Sequence, residues 1–190
     1  MQRILPAPRR GLAGVWDRFV GPGMTKGELW LVLSASVMAA VLAGLHVWGL
    51  GGGWPLALVA ALVAFDVIGG AVCNATDTTK RWYHRPGTTA KDHFSFIALH
   101  ILHIFLVAAL FRGSGVDWVY FLAISAWLLI SAALVIRVPE MLKSPVAILL
   151  YIAGIATTLY GVGLTPGLEW FVPALFLKLL VGHAVPLQKL

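Results

Sequence analysis

Residues 54–74 read WPLALVAALVAFDVIGGAVCN, an unbroken apolar run except for the carboxylate of Asp66. As an α-helix this run would be about 30 Å long, the thickness of a bilayer's hydrocarbon core. Pro55 suits the first turn of such a helix, where its missing N–H costs nothing. The run therefore predicts a transmembrane helix, and the rest of the chain repeats the pattern. Over its 190 residues, 59% are hydrophobic and only 12% charged, about half the charged fraction of a soluble domain. An all-α integral membrane protein is the expected fold.

Upstream, Thr25 to Glu28 reads as a capping box opening an apolar helix over 29–50, in which Ser36, Ala40 and Gly44 form a stripe of small residues suited to close helix packing. Downstream, Thr89 to Asp92 makes another capping box before a helix over 93–111, and Ser114 to Asp117 opens one over 118–137. Ser144 and Pro145 read as N-cap and first helical residue of a helix over 145–164, and Pro166-Gly167 turns the chain into a last helix over 168–185. With the helix at 54–74 this makes six spans in one domain, residues 28–190. Residues 1–27 form a separate basic segment, with Leu12, Val15, Trp16, Phe19 and Val20 at one-face helical spacing, as expected of a short amphipathic helix lying in the headgroup layer.

The basic residues orient these spans. Placing both termini in the cytoplasm gathers Arg3, Arg9, Arg10, Arg18 and Lys26 with Lys80, Arg81, Arg85, Lys91, Arg137, Lys143 and Lys189 on one side, leaving Arg112 opposite and Lys178 inside the membrane. This is the positive-inside pattern, and it points to a bacterial-type inner (plasma) membrane. It also accounts for the formal charge of +6 without nucleic acid. The single cysteine, Cys73, cannot form an internal disulfide. No GxxxxGK phosphate loop, GxSxG elbow, HExxH zinc helix or paired CxxC is present.

Ionisable side chains inside apolar runs are expensive and point to function. Here these are Asp66, His100, His103 and His183. From helix rise, all four fall in the cytoplasmic half of the membrane. Three imidazoles and a carboxylate are a sufficient ligand set for Zn²⁺ or non-haem Fe. The expected function is a metal-dependent membrane hydrolase acting on a lipid or lipophilic substrate, with Asp66 and His100 catalytic and His100, His103, His183 and Asp66 as ligands. The connection between the second and third helices supplies candidate substrate contacts: Lys80, Arg81 and Arg85 for an anionic headgroup, with Asn74, Asp77, Tyr83, His84 and His93 beside them. Lys178, five residues from His183 and about 140° around an α-helix, need not face the same pocket. Two alternatives use the same residues: a small proton- or ion-coupled transporter or channel with an Asp/His relay, and a structural or assembly subunit. Haem between two histidines is a further variant. Membrane lipid or a small molecule is the expected partner, and a homo-oligomer is compatible with the composition.

Overall fold

The computed structural model describes residues 6–187; Arg3 and Lys189, which entered the charge pattern, lie outside them. The described residues are helical and contain no strand. Five helical segments are long and apolar enough to cross a membrane. They are α2 (Lys26–Gly49), α3 (Gly53–Ala75), a third span built from α5 (Ala90–Leu99) and α6 (Ile101–Leu110), α7 (Trp118–Arg137), and α8 (Glu140–Thr157) with a π-helical extension Thr158–Val162. Before them lies α1 (Gly11–Val20), and between α3 and α5 a short α4 (Asp77–Tyr83). The expected last helix is α9 (Phe171–Phe176), running on as a π-helix over Leu177–His183.

Local sequence sets most boundaries. Thr25 and Glu28 form the expected reciprocal cap on α2, Thr89 and Asp92 the same on α5, and the Asp117 carboxylate accepts from the Tyr120 N–H at the start of α7. Three boundaries differ from expectation. The connection between α3 and α5 is not wholly irregular, because the Thr76 side chain accepts from the Thr79 N–H and starts α4. Helix α8 begins after Pro139 rather than at Ser144, so Pro145 lies inside it and leaves the Met141 carbonyl without its i+4 donor. The third span is interrupted at His100. There the ring Nδ1 lies 2.9 Å from the Phe96 carbonyl, which an α-helix would reserve for the His100 N–H, and that N–H bonds Ile97 O instead.

The last helix organises the bundle. It has six α-helical and seven π-helical residues, about 20 Å in all and shorter than a hydrocarbon core. Phe171, Leu175, Phe176, Leu179 and Leu180 along it are fully buried. It packs against α3, α7 and α8, while α2 lies along α3 and the third span packs on α7. Its C-terminus is capped from α4: Lys80 Nζ donates to Gly182 O at 2.7 Å and, just beyond the helix, to Val185 O at 2.8 Å, the favoured place for a cation on a helix dipole. At the other end of the bundle Arg112 pairs with Asp117 at 2.8 Å and donates to Val162 O at 2.8 Å, closing the π-helical end of α8.

Helix α4 also carries α1. Trp82 Nε1–H donates to Arg18 O and the Tyr83 hydroxyl to Phe19 O, both at 3.0 Å, and the Thr79 hydroxyl to Val20 O. Three carbonyls at the C-terminus of α1 are thus satisfied by one short helix. Leu12, Val15 and Phe19 of α1 remain exposed, while Val20 and Trp16 pack inward with Cys73.

Close packing of α2 on α3 depends on missing side chains. A Cβ at Gly69 would overlap Ser36 Oγ and come within 2.7 Å of Ser36 Cβ. Gly69→Ala should lower the thermal stability of the detergent-solubilised protein by about 1–3 kcal/mol, as overpacking does, and adding Ser36→Gly should recover part of the loss. Additive effects of the two substitutions would show that the contact is not the cause.

Candidate functional site

Asp66 stands fourteenth among the 23 residues of α3, about 20 Å from one end of the helix and about 13 Å from the other. Its carboxylate draws together three side chains from two other helices. Lys178 Nζ donates to Asp66 Oδ2 at 2.6 Å and to the Asp66 carbonyl at 3.1 Å. His103 Nε2 lies 3.2 Å from the same oxygen and His100 Nε2 3.8 Å from it. The imidazoles of His100 and His103 stack, with ring centroids 5.3 Å apart. Lys178 is almost fully enclosed, its side chain 4% exposed.

Several features of the chain make room for this contact. Gly70, one turn beyond Asp66, has no side chain where a Cβ would come within 2.7 Å of Lys178 Nζ. The interruption at His100 leaves that residue and His103 on a tightened turn, with the His103 N–H bonded to His100 O at 3.0 Å. The contact from Nδ1 to the Phe96 carbonyl requires a proton on Nδ1 of His100, so its Nε2 is the atom that gains or loses a proton beside Asp66. The π-helical stretch carries Lys178 toward α3, and the Asn74 side-chain amide donates to the Lys178 carbonyl at 3.1 Å. Such i→i+5 segments recur at functional sites because they redirect side chains.

His183 belongs to a second cluster. His93 Nδ1 and His183 Nε2 share a hydrogen bond at 3.2 Å, the His84 Nε2–H donates to the His183 carbonyl at 2.9 Å, and the rings of His84 and His93 stack at 4.5 Å. Phe96 lies between the clusters, stacked on His183 at 4.1 Å and tilted against His100 at 5.2 Å. Of the expected ligand set, Asp66, His100 and His103 meet, whereas His183 joins His84 and His93. Among the described residues no group of three or more His, Cys, Asp or Glu side chains is arranged to hold a metal ion.

The candidate headgroup residues have partners within the chain. Lys80 caps the last helix, and Arg81 pairs with Asp77 at 3.2 Å on the exposed side of α4. The Arg85 guanidinium lies over the Trp82 ring at 3.8 Å, and the Tyr83 hydroxyl holds α1. Burial pushes the Lys80 ammonium down to about 8, against the raising influence of Asp77. Burial likewise pushes His84 down to about 4, with like charge at His93, Lys80 and Lys143 acting in the same direction.

Lys178 is the residue that sequence reasoning set apart. Its azimuth was read from 100° per residue, and a π-helix does not keep that angle. The usable signals were a lone lysine in an apolar run and a glycine four residues after the intramembrane aspartate.

Compared with protein-family models, curated proteins and solved structures, the chain shows no significant match to any. What fold and site define is a class: a helical membrane protein whose buried charges are paired across three helices.

Two measurements probe these contacts. Asp66→Asn leaves Lys178 buried without a counter-charge and should cost on the order of 3 kcal/mol. Lys178→Met in the same chain should recover much of that loss, whereas strict additivity would deny the pairing. Separately, His84 is neutral in the folded protein down to about pH 4 but titrates near its ordinary 6.5 when unfolded. The unfolded chain therefore binds more protons across that window, and melting temperature should fall as pH drops from 6.5 toward 4. His84→Gln should flatten the slope; an unchanged slope would remove His84 as its source.

Proposed function

We propose that this protein is a small proton-coupled transporter of a bacterial-type inner membrane, in which Asp66, Lys178, His103 and His100 bind and release the coupling proton. The observation that carries this reading is the Asp66–Lys178 ion pair at 2.6 Å, its lysine enclosed and its carboxylate contacted by two imidazoles. Ionisable groups at such depth serve ion and proton movement far more often than packing.

The chemistry follows from charge. With both histidines neutral, Asp66 and Lys178 cancel. A proton arriving on the His100 or His103 imidazole adds a positive charge beside the carboxylate, which then has two cations competing for Oδ2. The lysine's hold weakens, and the helix carrying it gains freedom to shift against α3. Histidine is suited to the task because its proton exchanges near neutral pH. Toward α4 the His183, His93 and His84 imidazoles form a second polar group, separated from the first by the Phe96 ring.

In this proposal both termini face the cytoplasm, the last helix is the sixth membrane-inserted segment, and α1 lies in the inner headgroup layer with its basic side toward anionic lipid. The competing reading is a metal-dependent lipid hydrolase using Asp66, His100 and His103. The ion pair favours transport over it, because the Lys178 ammonium already neutralises the carboxylate that a metal would need.

Proton flux into liposomes carrying the full chain, driven by a potassium diffusion potential and read with an internal pH dye, tests the proposal. Wild-type flux should exceed that of empty liposomes, and Asp66→Asn and Lys178→Met should each fall to the empty rate. Wild-type flux no higher than in empty liposomes would refute the transporter. Zinc or iron copurifying stoichiometrically and lost in His103→Ala would favour the hydrolase.

A further inference from the structure

The Asp66 carboxylate is used on one side only. Lys178, His103 and His100 all approach Oδ2, and among the described residues Oδ1 receives no hydrogen bond. The Asp66 side chain is nevertheless 42% exposed, while the lysine behind it is 4% exposed. Leu62 and Phe65, near Asp66 along α3, and Leu99 and Leu102, next to His100 and His103 along the third span, are exposed as well. These two segments do not pack closely along their length; His103 and His100 reach across to Asp66. At mid-membrane depth such a seam opens onto hydrocarbon, where a bare carboxylate oxygen has no water to accept from.

From this geometry we infer that the seam between α3 and the third span is a lateral binding site for a neutral, membrane-dissolved molecule bearing a hydroxyl, whose O–H donates to Asp66 Oδ1. Charge selects the class of ligand. The Asp66–Lys178 pair is already neutral, so a cation would have to displace the lysine and an anion would meet the carboxylate. A neutral donor satisfies Oδ1 without displacing the lysine. Depth selects its body, because only a molecule that partitions into the acyl region reaches the site from the exposed side. A hydroxyl on Oδ1 withdraws electron density from the carboxylate and loosens its hold on His103 and Lys178, which links occupancy to the proton site. This inference rests on the proposed function for its role as substrate, but the binding itself is measured without transport.

The probe is a long-chain alcohol carrying a diazirine, compared with the matching diazirine alkane that lacks the hydroxyl, each photolysed with the full chain in liposomes. Mass spectrometry should place the alcohol on residues 62–66 and 99–106, with about tenfold more label than the alkane, a ratio expected from one hydrogen bond to a charged acceptor. Asp66→Leu should abolish that preference. Because this variant also unpairs Lys178, Leu102→Trp provides a second arm: it fills the seam from outside, leaves the ion pair intact, and should reduce alcohol labelling to the alkane level. Equal labelling by the two probes in the wild type would overturn the inference. So would efficient cross-linking of Leu102→Cys between two copies together with no alcohol label, which would assign the seam to a second molecule of this chain. Labelling without proton flux keeps the lateral site and removes the coupling; flux without labelling does the reverse.

Discussion

The constraint on which the structure depends is the cost of charge in hydrocarbon. One carboxylate and one ammonium lie near the middle of an apolar bundle, and neither is tolerable there alone. Their contact at 2.6 Å fixes the position of the last helix against α3. The surrounding sequence accommodates the pair: Gly70 clears space for the lysine stem, Asn74 takes up the Lys178 carbonyl, and the π-helical winding brings that lysine round. A buried pair of this kind contributes little net stability compared with an apolar filling. Such a pair acts chiefly by penalising arrangements in which either charge is left alone.

The short last helix shows how that arrangement is kept. Too short to cross a bilayer alone, it is enclosed by longer neighbours, and its exposed carbonyls need donors. Lys80 supplies them from α4, and α4 in turn supplies donors to the end of α1. A single seven-residue helix thus ties a surface element to the core through side chains that look, in sequence, like a basic-aromatic loop for headgroups. Lys80, Trp82 and Tyr83 supply donors at two helix C-termini, whereas Arg81 and Arg85 bond within α4 and its edge.

The two histidine clusters divide a group that depth alone had merged. His183 and His100 each pack on Phe96 but hydrogen-bond to different partners. The one beside Asp66 sits against a charge, whereas the other is made of imidazoles and a backbone carbonyl. The two therefore have different surroundings: the first faces an ion pair, the second its own members.

Much of the fold could be read from sequence. The spans followed from apolar runs of bilayer length, and the helix starts from Thr25, Thr89 and Asp117, because rise per residue and capping are local. That Asp66, His100, His103 and Lys178 lie within apolar helical segments was legible for the same reason. Which of them meet was not. Contact depends on azimuth as well as depth, and azimuth was reset by the interruption at His100 and by i→i+5 bonding around Lys178. Pro145 likewise looked like a helix start and proved to be internal. What the sequence by itself determined was the apolar character, the segments and the place of each charge along its helix, since these depend on composition and on length along one helix. Only the tertiary structure decided that Lys178 rather than His183 is the partner of Asp66, because that depends on how helices distant in sequence turn their faces toward one another.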